Sequence, residues 1–202
     1  MKNAAVGFRP HSGWTALVAV SLEKSKPVVL LRERVHLVKK FNYAYRQPYH
    51  TAARAPLEEG RAFIARVKSE AQQLARSVLR KTQSKLAAAD YRLTHCGLLL
   101  GSGRVLPGLE AILRAHPLIH TADGELFREA LTRACTRCGL ELVCAKEKQL
   151  VGEAAETFRI KAPLLLRRVT ELGKPYGAPW SQDEKYATLI AWLALHADRS
   201  LA

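Results

Sequence analysis

The apolar positions of this chain fall into a few runs, and their spacing separates strands from helices. The stretch 6–21, VGFRPHSGWTALVAVS, opens with a Gly, Arg and Pro loop and then runs apolar over 14–20, with only Thr15 interrupting. A short apolar run bounded by turn residues predicts a strand buried on both faces, which in an α/β domain is a central one. A polar turn at 23–27 leads into VVLLRERVHLV (28–38), apolar at first and alternating afterwards. That pattern predicts a second strand, paired to the first as a hairpin. Two more strands are predicted at YRLTHCGLLL (91–100) and LELVCAKE (140–147).

Between and after the strands the period changes from two to three-and-four. Pro56 is placed to open a long helix over about 57–88, with Ile64, Val67, Ala71, Leu74 and Val78 on one buried face. Glu58 and Glu59 lie at its start and Arg80, Lys81 and Lys85 toward its end, which suits the helix dipole without any ligand. Pro107 opens a short helix reaching about Ala115. The segment 116–139 predicts a helix capped by Thr121, with Asp123 and Glu125 in its first turn and Gly139 at its end. A helical region over 148–172 is split at Pro163, and residues 173–180 form a rigid connector. Ser181 and Glu184 make a capping box for a last helix through about His196, apolar almost all round and hence interior. The expected architecture is a single α/β domain over 1–202: a mixed sheet begun by a hairpin, alternating helices and strands, and a buried terminal helix.

Composition changes the picture in one respect. The 202 residues are 48% hydrophobic, ordinary for a folded domain, but 32 Lys and Arg face 18 Asp and Glu, a net charge of +14. Such a field draws nucleic acid, an anionic surface or an acidic protein. The N-terminal residues lack the apolar core of a signal peptide, and no run is long enough to cross a membrane. Cys96, Cys135, Cys138 and Cys144 are too few for a secreted disulfide framework. A cytoplasmic protein with no membrane contact is expected, its oligomeric state open and a homodimer included.

Residues 39–56 interleave Phe41, Tyr43, Tyr45 and Tyr49 with Lys39, Lys40, Arg46, His50 and Arg54. Aromatics among cations suit single-stranded nucleic acid, whereas the plainer reading is a loop or edge strand covering the core with tyrosine rings. Gly101-Ser102-Gly103-Arg104 follows a strand and precedes a helix, the setting of a phosphate cradle. Its spacing matches neither the phosphate-loop nor the dinucleotide pattern, and a plain turn accounts for it.

The order of elements and two motifs resemble the ribonuclease H-like fold, in its Holliday-junction resolvase branch. That family begins G-[IL]-D-P-G-x-x-x-[TS]-G-[WY], to which the segment from Gly7 through Arg9, Pro10 and Gly13 to Trp14 is similar. It ends with D-x-x-D-A-L-A-x-A, to which Asp183-Glu184-Lys185-Tyr186-Ala187 is similar. The resemblance implies carboxylates on the first strand, after a later strand and on the last helix, holding two divalent cations. Here the first-strand acid is Arg9, the strand over 91–100 ends in Gly101 and Ser102, and the second helix acid is Tyr186. Two metals need several hard oxygen ligands. A permanent cation in their place implies a degenerate site.

The remaining chemistry has competing readings. Asp123, Glu125, Asp183 and Glu184, with His116 and His120 nearby, form a conceivable relocated metal site, against which stands ordinary dipole and cap chemistry in first turns. Cys135-x-x-Cys138 with Cys144 suggests zinc or redox work, but the pair closes a helix instead of opening one, so inert cysteines are expected. Ser12 beside His11 lacks any nucleophile motif. The reading reached is a non-catalytic ribonuclease H-like protein that binds nucleic acid, largely without sequence preference, through Arg9, His11, Arg46, Arg104 and Lys185, with no cofactor. The alternatives are a metal-dependent nuclease using Asp123, Glu125 and Asp183 with Mg²⁺, and a protein-interaction scaffold.

Overall fold

The computed structural model describes residues 1–101, 103 and 105–197. Three antiparallel strands come first: β1 (Lys2–His11), β2 (Trp14–Glu23) and β3 (Lys26–His36). Two short helices, α1 (Tyr43–Arg46) and α2 (Pro48–Ala52), precede the long α3 (Leu57–Ala88). Then follow β4 (Tyr91–Leu100), α4 (Leu109–Leu113), α5 (His116–Arg137) and β5 (Glu141–Lys146). The chain closes with α6 (Leu150–Phe158), α7 (Ala162–Leu172), a 3-10 turn (Lys174–Tyr176) and α8 (Gln182–Ala197). The sheet runs β3-β2-β1-β4-β5, with β1, β4 and β5 mutually parallel. The architecture is the expected α/β mixed sheet with a buried terminal helix.

The centre of the sheet differs from expectation. The strand anticipated at 14–20 is β2, one place off centre, and the central strand is β1, whose second half had the look of an entry loop. Its pleat explains the difference. Ala4, Val6 and Phe8 enter the core beneath α3 and α5, while Ala5 enters the core on the side of α8. Arg9 and Pro10 hide this alternation in the sequence. Pairing with β4 ends at Phe8, so Pro10 lies where β1 has a neighbour on one side only. Ser12 and Gly13 make the turn, Gly13 with a φ of +81°.

Helix α8 lies unusually close to the sheet because two glycines face it. Gly7 and Gly97 are register partners on β1 and β4. A Cβ at Gly7 would stand 1.9 Å from the Ala187 carbonyl oxygen, and one at Gly97 2.5 Å from that of Ile190. Ala187, Leu189, Ile190, Ala191, Ala194 and Leu195 are buried there. Each large one contributes about 1.5–3 kcal/mol relative to exposure.

Two further expectations are corrected. Residues 39–56 are not a loop or edge strand: Asn42 caps α1 by accepting from the Tyr45 N–H (3.1 Å), and Pro48 opens α2. Tyr45 and Tyr49 do pack on the core, as the plainer reading held. Helix α5 starts at His116, not at Thr121, because Pro117 sits in its first turn, where a missing N–H is harmless. Thr121 donates to the Pro117 carbonyl (2.9 Å) and caps nothing. Asp123 and Glu125 therefore lie well inside the helix, beyond the reach of dipole chemistry. The Ser181–Glu184 box is present, Glu184 accepting from the Ser181 N–H at 2.7 Å.

Candidate functional site

The parallel strands β1, β4 and β5 end on one edge of the sheet, where open α/β sheets place their ligands. On β1 the residues facing α8 are Ala5, Gly7, Arg9 and His11, spaced by two. On α8 their counterparts are Ala191, Ala187 and Asp183, spaced by four. Two strand residues rise about 6.6 Å and four helical residues about 6 Å. The close packing at Gly7 therefore carries Asp183, one turn before Ala187, onto Arg9.

The result is a closed ionic cluster. Arg9 Nε and Nη2 donate to Glu147 Oε2 (3.1 Å) and Oε1 (2.7 Å), a bidentate pair. Arg9 Nη1 donates to Asp183 Oδ1, and His11 Nε2 lies 2.8 Å from the same oxygen. The Arg9 side chain is 14% exposed and Asp183 23%. Arg9 also lies over the Tyr186 ring, 5.5 Å from its centroid. The hydrogen bond to Glu147 raises the arginine pKa, burial opposes it, and charge attraction from Glu147 and Asp183 adds to it. The donor set does not fit two divalent cations: both carboxylates are held by one guanidinium, which stands where the resemblance implies a metal-binding acid.

Around this floor, flat side chains stack on one another. His11 lies on Trp14 (4.2 Å between centroids, 9° between planes), and the Arg34 guanidinium is 3.8 Å from the Trp14 centroid. His36 stacks on Phe41 at 4.1 Å, and Arg46 lies 4.7 Å from the same ring. The aromatic and cationic residues of 39–56 thus partner each other and the strand ends. His11 also borders an open cavity of about 410 Å³, bounded further by Pro10, Gly101, His120, Glu125 and Arg128.

The structure brings Arg9, His11 and Asp183 together, with Arg46 donating to the Ser12 carbonyl (3.3 Å) beside them. Arg9 is not a free cation, however, and its charge is answered inside the protein. Lys185 lies on the first turn of α8, and Arg104 lies outside the described residues. The relocated metal set of Asp123, Glu125 and Asp183 is not formed. Asp123 is turned inward, accepting from the Tyr49 N–H at 2.7 Å and from His50 Nδ1, while Glu125 pairs with Arg128 at 3.1 Å. Burial pushes the Asp123 carboxyl up, and its hydrogen bonds from His50 and Tyr49 pull the other way. Among the described residues no group of three metal-ligating side chains includes a carboxylate or a cysteine. Cys96 and Cys135 are buried, and burial raises the Cys96 thiol well above its ordinary value, the reverse of a reactive thiolate.

Glu147 is the floor residue that sequence reasoning missed. Its signal was present in the strand LELVCAKE, which ends on an acid at the carboxyl edge. The resemblance drew attention instead to Gly101, the end of the neighbouring strand.

No protein-family model matches the chain, and no curated protein matches it. Solved structures do. The RuvC of T. thermophilus in complex with a Holliday junction substrate superposes with a TM-score of 0.56 at 15% identity, covering 98% of this chain and 96% of that one. A second Thermus thermophilus RuvC structure superposes at 0.53 and 14%, with the same coverage. The likeness spans both molecules from end to end, and with the five-strand mixed sheet it establishes an α/β fold of the ribonuclease H-like type, in the form found in RuvC.

Proposed function

We propose that this protein holds nucleic acid at the edge where β1, β4 and β5 end, without cutting it and with little preference for sequence. The observation that carries the reading is that Arg9 engages both Glu147 and Asp183. An internal guanidinium does for these acids what metal ions would do in a catalytic relative, and it supplies neither a bound water nor a Lewis acid for hydrolysis. With the floor acids answered, the outer charge of the edge is that of its lysines. Lys146 and Lys148 flank Glu147 in the chain, both are exposed, and Lys185 follows Asp183 by two residues. None of the three makes an ion pair among the described residues. The fold likeness supports the same partner class, since one of the similar RuvC structures carries a Holliday junction.

Fluorescence anisotropy with labelled single-stranded, duplex and four-way-junction DNA tests the reading. Binding is expected to all three at about 50 mM salt and to fall steeply by about 200 mM. Replacing Lys146, Lys148 and Lys185 together by Ala flattens the plot of log K against log salt by about 2–3, close to one for each phosphate no longer neutralised. Incubation with Mg²⁺ or Mn²⁺ leaves every substrate intact. Absence of binding at low salt overturns the first half of the proposal, and cleavage that disappears in Asp183→Ala overturns the second.

A further inference from the structure

Three metal-ligating side chains meet elsewhere, away from the ionic floor. His50 on α2 and His116 and His120 on α5 each present a ring nitrogen, and the three nitrogens lie within 4.8 Å of one another. Helical geometry makes the first pairing: residues four apart share a face, so the His116 and His120 rings stand 4.5 Å apart. The helix α2 then brings His50 to both, at 5.4 Å from His116 and 4.4 Å from His120. Three imidazoles this close repel one another if all are charged, whereas each neutral ring has one lone pair to offer a cation.

Asp123 makes the arrangement directional. It is 3% exposed and accepts from His50 Nδ1 at 2.5 Å. Its other oxygen is held by the Tyr49 N–H at 2.7 Å, so the carboxylate itself cannot swing. With Nδ1 donating to Asp123, the lone pair of His50 is on Nε2, the atom left for the cluster. A carboxylate behind a metal-bound histidine, fixing tautomer and ring plane, is the usual outer support of a zinc site. Ile112, Ile119 and Ala122 form a small buried cluster against which Tyr49, the residue before His50, also packs. His120 borders the open cavity that also touches His11, Glu125 and Arg128.

We propose that His50, His116 and His120 bind one divalent transition-metal ion, with zinc as the reference ion, and that Asp123 is the positioning residue behind His50. Three neutral imidazoles select zinc and its neighbours over Mg²⁺ or Ca²⁺, which require oxygen ligands. Bonds of about 2.0–2.1 Å place tetrahedral ligand nitrogens about 3.3 Å apart. The exposed rings of His116 and His120 close that gap by rotation, while His50 stays fixed. The fourth position faces the cavity and takes water or an oxygen ligand. The ion would also clamp α2 to α5. This site does not depend on the nucleic-acid reading, since the metal alone is its ligand.

The test uses the full chain, stripped with chelator and titrated with Zn²⁺ against a chromophoric competitor. One ion per chain is expected, with a dissociation constant below micromolar. Cobalt substitution is expected to give a tetrahedral visible spectrum without thiolate charge-transfer bands. Either His116→Ala or His120→Ala, both at exposed positions, removes stoichiometric binding. Asp123→Asn keeps an acceptor for the Tyr49 N–H and weakens affinity about 10–100-fold. Cys138→Ser and Cys144→Ser leave it unchanged. The proposal is overturned by absence of binding at micromolar zinc, by binding that survives His120→Ala, or by cobalt bands that disappear in Cys138→Ser.

Discussion

Two clusters in this molecule place a carboxylate against a cationic or potentially cationic side chain, with opposite outcomes. At the end of β1, Glu147 and Asp183 converge on Arg9, and every nitrogen of the guanidinium faces an acid. Between α2 and α5, Asp123 takes one nitrogen of His50 and leaves the other to a ring that meets those of His116 and His120. The first is saturated, because a guanidinium has only donors and a carboxylate only acceptors. The second is open, because imidazole can donate at one edge and offer a lone pair at the other. Residue type alone does not tell whether an acid closes a site or prepares one. The partner's second edge does.

The largest expected effect comes from prising the saturated cluster apart through its support. Gly7→Ala drives a methyl into the Ala187 carbonyl, a backbone atom that cannot step aside, and lifts the start of α8 from β1. A loss of about 3 kcal/mol in urea unfolding is expected, at the upper end for overpacking. Zinc affinity should survive in the folded variant, because α2 and α5 stand on the other face of the sheet. Coupled loss of both would show that the two clusters are one unit.

Arg9→Ala attacks the same cluster directly. It leaves Asp183 and Glu147 facing each other with no cation between them, where breaking a fully buried pair costs about 3–5 kcal/mol. Glu147 is 40% exposed, so water recovers part of this and about 2 kcal/mol is expected by chemical denaturation. A variant as stable as wild type would mean that the guanidinium contributes nothing to the floor.

The smallest effect is a pH independence. The Arg9 pKa is raised, chiefly by Glu147. A cation whose pKa is raised by folding contributes stability that is whole below its unfolded value and lost only as pH climbs through the folded one. That window lies far above neutrality, so the stability difference between wild type and Arg9→Ala should stay level from about pH 8 to about pH 10. A slope across that range, in paired urea melts, would assign the difference to a different group.

Much of this was legible along the chain. Strands β4 and β5, helix α3, the break before α7 and the capping box of α8 were each readable because one short-range rule decided them: an apolar run, a three-and-four period, a proline, a Ser–Glu pair. The reading failed at β1, where Arg9 and Pro10 look like loop residues until the acids just after β5 and on α8 are known to surround the arginine. It failed again at α5, where Thr121 resembles a cap and Pro117 moves the true start back to His116. Glu147 went unremarked since nothing local distinguishes it from any strand-ending acid.

By itself, then, the sequence determined the alternation of strands and helices, the buried character of α8 and the presence of a cation where the resemblance implies an acid. Those are properties of periodicity and residue type, which act over a few positions. Only the tertiary structure decided that Arg9 is neutralised by residues 138 and 174 positions away, and that His50 meets two histidines of α5 in front of a buried carboxylate. Such contacts depend on helix-to-sheet distance and strand register, set here by two facing glycines and a parallel pairing that no local pattern encodes.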